Sequence, residues 1–268
     1  MSFDGFTAAE RTGWDRRAAV YGATTARATT QAIPALLAGA GVAAGRRVID
    51  VCCGPGYAAG AAAAIGAEAM GIDAAPAMVA AARAAFPACR FEIADATSLP
   101  APEGCFDAAI CSFGLFHLAD PAAALAEMHR VLRPGGRLAA SQWSAPPASA
   151  FFRVVFGGIG AHADMTVVPE GPPPFALSTA GALDAALTDA GFRDVTVFEV
   201  PVVFEAPAAA FPDHFRDFSV RGSMILERQT PETRARIEAA WRDGFAPFEQ
   251  GGTIRAPMPA LVASGRKA

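Results

Sequence analysis

Val48-Ile49-Asp50-Val51-Cys52-Cys53-Gly54-Pro55-Gly56-Tyr57-Ala58-Ala59-Gly60 is the stretch on which the fold turns. A β-branched run ends at Asp50, enters a loop holding Gly54 and Gly56, and gives way to an alanine-rich helix. A strand that feeds a glycine turn and then a helix makes a cradle for a nucleotide-type cofactor. Glycine lets the backbone approach such a ligand and takes dihedral angles closed to other residues. Glycines also end strands for purely structural reasons, so the loop acquires meaning from what lies around it.

Working outward, residues 8–40 read as helical, with Trp14 and Tyr21 on one face and Ile33, Leu36 and Leu37 forming another apolar stripe. Strands are expected at 47–51, 69–73, 90–94, 105–111 and 137–143, and helices at 57–65, 76–86 and 122–132. Pro76 stands at a helix start, where its missing N–H costs nothing. Asp120-Pro121 supplies an N-cap and first-turn proline, and Arg133-Pro134-Gly135-Gly136 a helix stop and tight turn. Such alternation implies a parallel sheet with helices on both faces. The rhythm breaks at Ala145-Pro146-Pro147. A helix at 179–190 and a strand at 194–204 follow, and 205–250 is irregular and helical, with Phe211, Phe215, Phe218, Trp241 and Phe245. The segment 252–265 reads as one strand interrupted by Pro257 and Pro259.

Composition narrows the possibilities. At 53% hydrophobic and 18% charged, the 268 residues have the make-up of a folded globular protein. A net charge of -4 gives no overall pull toward nucleic acid. The first ten residues lack the basic flank and apolar stretch of a signal peptide, and no run is apolar enough to suggest a membrane span. Five cysteines without a paired Cys-x-x-Cys framework suggest reduced thiols and a cytoplasmic location. His117, His129, His162 and His214 are scattered, so no metal site is expected. Lys267 is the only lysine, which excludes a Schiff-base lysine, a Gly-x-x-x-x-Gly-Lys phosphate loop and a Tyr-x-x-x-Lys dyad.

From residue 12 to residue 143 the chain resembles the class I S-adenosyl-L-methionine (SAM)-dependent methyltransferases, closest to the branch holding the ubiquinone and menaquinone C-methyltransferases. Asp50-x-Cys52-x-Gly54-x-Gly56 matches the family's acid-Gly-x-Gly-x-Gly loop around the methionine half of SAM, in which the acid helps hold the ammonium group. Asp73, followed by Ala74, matches the acid that closes the second strand and accepts the ribose hydroxyls. Asp95-Ala96 matches the pair that reads the adenine edge, and Ser112-Phe113 lines the floor near the methyl. Arg130-Val131-Leu132-Arg133-Pro134-Gly135-Gly136 resembles a closing turn that touches no cofactor. Cys52 departs from the pattern by replacing the first glycine, which implies negative φ there and a narrower loop.

The resemblance implies an α/β fold, a doubly wound, mostly parallel seven-stranded Rossmann-like sheet with helical lid insertions. The expected organisation is a helical cap at 1–45, a SAM-binding core at 46–144 continued at 179–204, and a lid insertion at 145–178. A substrate cover at 205–250 and a C-terminal core strand at 251–268 complete it. The glycine spacing disfavours a nicotinamide site, because Gly60 lies one residue beyond the Gly-x-Gly-x-x-Gly pattern.

The implied activity is methyl transfer by in-line displacement to a small, largely apolar acceptor, aromatic, polyketide-like or prenylated. Non-methyl chemistry in the same pocket (cyclisation or decarboxylation) and a non-catalytic SAM-binding scaffold stand as alternatives. His117, a few residues beyond the fourth strand, is the candidate base, with packing or helix capping as the bland alternative. Tyr21 either closes over the cofactor or pairs with Trp14 in the core. The expected partner is a small-molecule acceptor, with no nucleic acid and no membrane; a homodimer stays open.

Overall fold

The computed structural model describes residues 3–167 and 170–268. The chain forms α1 (Asp4–Arg17), α2 (Thr25–Thr29), α3 (Ile33–Gly39), β1 (Arg47–Val51), α4 (Tyr57–Ala64), β2 (Glu68–Asp73) and α5 (Pro76–Ala85). It continues through β3 (Arg90–Ile93), β4 (Phe106–Ser112), α6 (Pro121–Val131), β5 (Leu132–Trp143), α7 (Ala150–His162) and α8 (Ala180–Asp189). After β6 (Arg193–Val200) and β7 (Val203–Pro207) come α9 (Phe211–Phe218), α10 (Val220–Glu227) and α11 (Pro231–Phe245). The last elements are β8 (Glu249–Gln250), β9 (Thr253–Pro257) and β10 (Ala260–Arg266).

A seven-stranded sheet runs in the order β3-β2-β1-β4-β5-β10-β6. Strands β1 to β5 are mutually parallel, and β10 lies antiparallel between β5 and β6. The doubly wound, mostly parallel sheet expected from the sequence is therefore present. Burial on both faces requires strands that are apolar on both sides. Val48 packs with Leu36, Leu37 and Ala58 from α3 and α4 on one face. Its neighbours Ile49 and Val51 pack with Leu125, Met128 and Leu187 from α6 and α8 on the other. Strand order reverses between β1 and β4, so a ligand crevice opens at the carboxyl ends of the strands there.

Four segments differ from the sequence reading. The stretch 8–40 is not one run of helix. Two 3-10 turns, Tyr21–Ala23 and Thr30–Ala32, break it into short pieces around Gly22, Thr24 and Pro34. The strand expected at 194–204 is two strands in different sheets, and so is the one expected at 252–265. In both places the chain leaves the large sheet at prolines, Pro201 in one case and Pro257 and Pro259 in the other, because proline supplies no N–H to a ladder. The crossings are tied together where the Met258 N–H donates to the Val202 carbonyl at 2.8 Å. Finally, 133–136 lies inside β5, where a register shift separates the Phe106–Leu132 and Ala108–Arg137 pairings.

The detached strands form a small antiparallel sheet, β7-β9-β8, which with α7, α9 and α11 encloses a second core. That core is aromatic. Phe151 lies 4.3 Å from Phe204, Phe211 lies 4.7 Å from Phe245, and Phe215 lies 4.9 Å from Trp241, measured between ring centroids. The Trp241 indole N–H donates to the Val155 carbonyl at 3.0 Å, so its one polar atom is satisfied inside the core. No helix among the described residues is long and apolar enough to cross a membrane.

Candidate active site

The loops after β1, β2, β3 and β4 and the end of β5 border one cavity of about 690 Å³. This is within the roughly 300–1,000 Å³ usual for small-molecule sites. Helix α1 and the segments around Phe175 and Phe218 close it from above.

Its floor begins with the glycine loop. Gly54 and Gly56 both adopt left-handed backbone, with φ of 52° and 84°. The Gly54 N–H donates to Asp73 Oδ2 at 2.9 Å and the Ala75 N–H to Asp73 Oδ1 at 2.9 Å. One carboxylate thus fastens the loop after β1 to the end of β2. Each of its oxygens keeps a second lone pair for a ligand hydroxyl. Burial pushes the Asp73 carboxyl up from its ordinary value, and these N–H donors oppose the shift.

Two non-glycine residues beside the cavity hold positive φ, Cys52 at 60° and Phe113 at 54°. The negative φ expected at Cys52 is not what the fold adopts. The cysteine takes the backbone conformation that glycine would find easiest, at a cost of about 1–2 kcal/mol. Gly114 makes the room for it: a β-carbon there would lie 2.6 Å from Cys52 Cβ and 2.8 Å from Cys111 Sγ. A hydrogen bond with the Cys111 thiol, and then burial, raises the Cys52 thiol well above its ordinary value. At Phe113 the N–H donates to Ser141 Oγ at 3.0 Å, and the ring stacks on Trp143 at 3.8 Å.

Tyr21, Cys52, Gly54, Asp73 and Ala74 border the cavity, as do Asp95, Ala96, Ser112, Phe113 and His117. The Tyr21 ring lies over the glycine loop, where a β-carbon on Gly54 would be 3.9 Å from its Cζ, and burial pushes its hydroxyl up to about 12. It also meets Trp14 edge to face at 5.9 Å. Asp95 Oδ1 accepts from the Thr97 N–H at 2.8 Å and the Thr97 hydroxyl at 2.7 Å, an Asx turn that leaves Oδ2 outside these bonds.

Asp50 and Gly56 are not on the cavity wall. Asp50 is fully buried beneath the loop, where its Oδ2 accepts from the Ala59 N–H in the first turn of α4 at 2.9 Å. Burial pushes this carboxyl up to about 8. Through that bond Asp50 anchors the loop to the helix, and its Oδ1 has no hydrogen-bond partner among the described residues. Gly56 is needed for packing, since a β-carbon there would sit 2.8 Å from the Phe91 ring and 3.0 Å from Ala82.

His117 closes a 3-10 turn after β4, and its Nδ1 lies 2.8 Å from Glu10 Oε2 of α1. The same carboxylate oxygen accepts from the Trp14 indole N–H at 3.1 Å. Sequence reading missed Glu10, although a signal exists: it falls one helical turn after Phe6, and these two are the buried residues of α1. It missed Gln142, Ser178 and Arg221 as well, all of which border the cavity. Gln142 ends the otherwise apolar or small-residue run Leu138-Ala139-Ala140-Ser141, which could have flagged it.

Comparison with known proteins places this geometry. Residues 49–140 match the family described as "Methyltransferase domain". A demethylmenaquinone methyltransferase of Deinococcus radiodurans is 52% identical over 25% of this chain and 27% of its own length. One from Thermus thermophilus is 40% identical over 38% of this chain and 51% of its own. The chain thus spans about a quarter to a half of the length of these curated relatives. Among solved structures, the YcgJ protein of Bacillus subtilis superposes with a TM-score of 0.61 at 21% identity, covering 89% of this chain and 98% of that one. Phosphoethanolamine N-methyltransferase 2 of Haemonchus contortus, solved with S-adenosylhomocysteine, gives 0.54 at 16% identity over 88% and 52%. These likenesses extend the shared fold well beyond the matched segment. Within the Rossmann-like core, the segment 49–140 is thus what resembles a methyltransferase domain.

Proposed function

We propose that the protein transfers a methyl group from SAM to a small, largely apolar metabolite, aromatic, polyketide-like or prenylated, in the cytoplasm. The observation that carries this reading is the division of one cavity into unlike walls. Strand-tip loops with Gly54, Asp73 and Asp95 make one wall, while Phe116, Phe152, Phe156 and Phe175 furnish much of the rest. The names of the demethylmenaquinone methyltransferase relatives point the same way, toward a quinone-like ring.

On this reading Asp73 accepts the ribose hydroxyls, Asp95 and the Ala96 backbone meet the adenine edge, and Tyr21 covers the methionine half against Cys52 and Gly54. Ser112 and Phe113 form the floor beneath the methyl, and Asp50 holds the loop in shape. Asp73's spare lone pairs and the close-packed glycine backbone suit that ligand. When bound, SAM supplies an electrophilic methyl; what the chain must add is alignment and exclusion of water.

His117 takes the acceptor's proton. With Nδ1 held by Glu10 at 2.8 Å, Nδ1 carries the hydrogen and Nε2 remains the basic nitrogen. Glu10 is a positioning residue that fixes the orientation and tautomer of the ring, the arrangement by which a carboxylate orients a catalytic histidine. Because Glu10 belongs to α1, the pair exists only when that helix lies over the cavity.

Incubation with methyl-labelled SAM and a panel of hydroxylated and prenylated aromatics tests the reading. Label in an acceptor is the expected result. Binding of S-adenosylhomocysteine without labelling of any acceptor would favour the scaffold alternative.

A further inference from the structure

Helix α1 borders the cavity through Glu10, Arg11 and Trp14, yet Phe6 is its one fully buried apolar side chain. The other buried residue of the helix is Glu10. A helix that buries so little hydrocarbon owes its position to polar contacts more than to a packed face.

Those contacts reach two parts of the molecule. Toward α9 and α10, Arg17 donates from Nε and Nη2 to the Arg216 carbonyl at 2.9 and 2.7 Å, and from Nη2 to Ser223 Oγ at 2.6 Å. Gly13 lies so close to α10 that a β-carbon on it would be 2.4 Å from Val220 Cγ1. The Arg221 guanidinium lies 4.7 Å over the Phe6 ring. Toward the strand tips, the hydrogen bonds of α1 come from two carboxylates among the described residues. Glu10 meets His117, and Asp15 Oδ1 accepts from the Ala77 N–H at 2.7 Å.

Asp15 meets a helix end that has no cap of its own. The N-cap residue of α5 is Ala75, which has no side-chain oxygen to serve the first turn. The first N–H groups of a helix lack partners within it, and a carboxylate there also gains from the positive end of the helix dipole. The task that a serine or aspartate at position 75 would perform is done from 62 residues away. Two residues before Ala77, the Ala75 N–H donates to Asp73 Oδ1 at 2.9 Å. A single turn of chain thus joins the carboxylate at the tip of β2 to the helix above it.

We propose that Asp15 is a positioning residue, the latch by which α1, and with it Glu10, is held over the cavity. When the latch opens, α1 stays on α10 and parts from the strand tips, which opens the cavity from above. The latch follows from the contacts of α1; that it retains SAM rests on the methyltransferase reading.

The test compares the full parent chain with Asp15→Ala and Asp15→Asn by amide hydrogen exchange and by stopped-flow release of S-adenosylhomocysteine, followed by tryptophan fluorescence. Exchange within residues 4–17 of the free protein should speed up about 10-fold in Asp15→Ala, the loss expected from one hydrogen bond to a charged group, while the strands of the large sheet keep their protection. S-adenosylhomocysteine should leave that variant about 10-fold faster. Asp15→Asn keeps an oxygen for the Ala77 N–H and should stay within about 3-fold of the parent in both measurements. Exchange that rises only in the first turn of α5 would make Asp15 a helix cap and nothing more, and would overturn the proposal. So would an even rise over the whole chain, no change in α1, or an asparagine variant as loose as the alanine one. Faster exchange in α1 with unchanged release would equally sink it, because the helix would then not gate the cavity. If S-adenosylhomocysteine fails to bind the parent, the methyltransferase reading falls, and exchange in α1 alone decides whether the latch stands.

Discussion

The two sides of the cavity are built by different means. The strand-tip side is largely backbone. It consists of left-handed glycines, N–H groups aimed at Asp73, and loops whose positions follow from neighbouring parallel strands. The opposite side is made of side chains carried by α1, α7, α10 and the Phe175 segment, with the second, aromatic core packed behind it. A backbone-built wall can persist while its surroundings change. A side-chain wall depends on everything that packs behind it.

The largest effect should therefore come from the aromatic core. Trp241 is almost fully buried, against Phe211 and Phe215, and donates to the Val155 carbonyl. Trp241→Ala should cost about 3–5 kcal/mol of stability, through a cavity and an orphaned carbonyl. Calorimetry at a temperature where the variant is still folded should find S-adenosylhomocysteine affinity within about 3-fold of the parent, an allowance that corresponds to ~0.6 kcal/mol. Loss of cofactor binding in step with stability would erase the distinction between the walls.

The sequence announced these two walls unequally. Gly54, Asp73 and Asp95 follow strand ends within one repeating strand-loop-helix grammar, so each is legible from its immediate neighbours. Glu10 and His117 are 107 residues apart and no local pattern joins them. The aromatic stretches could not be divided from sequence. In the fold Phe211, Phe215 and Trp241 fill the second core, while Phe152, Phe156 and Phe175 line the cavity. Helical spacing marks a face as apolar but does not say whether protein or ligand will cover it. The small sheet was hidden for another reason: each of its long strands shares a continuous extended run with a strand of the large sheet, and only Pro201, Pro257 and Pro259 mark the exits.

Catalysis should depend on a contact between the walls. His117→Ala should lower kcat by about 100-fold, at the low end for loss of a general base, with S-adenosylhomocysteine affinity unchanged. Glu10→Gln should lose about 10-fold, because the ring keeps a hydrogen-bond partner but the neutral amide holds it less firmly than the carboxylate does. If Glu10→Gln left kcat and its pH profile untouched, α1 would be a cover without a part in the chemistry.

Asp73 tests the backbone wall directly. Asp73→Ala should weaken S-adenosylhomocysteine binding by roughly 1.5–3 kcal/mol, the usual range for hydrogen bonds to a charged group. Part of that loss would come from releasing the Gly54 and Ala75 N–H groups. Asp73→Asn separates the contributions, since its single carbonyl oxygen can serve only one of them. Unchanged affinity in both variants, measured calorimetrically, would remove Asp73 from the site.

Asp50 gives the smallest effect within any one pH unit and the sharpest sign. Its folded value of about 8 lies above the ordinary 3.8, so between those limits the native state binds more protons than the unfolded chain. Stability from this group is fully present below the lower limit and is lost as pH rises toward the upper one. Asp50→Asn cannot titrate, and its amide oxygen still accepts from the Ala59 N–H. Relative to the parent, the variant should gain up to about 1.4 kcal/mol per pH unit between roughly pH 5 and 7. Urea unfolding at pH 5, 6 and 7 reads that slope. A constant difference would mean that the carboxylate stays charged beneath the loop. In that case a ligand ammonium drawn to Asp50 would again be a better account of it than the loop anchor proposed here.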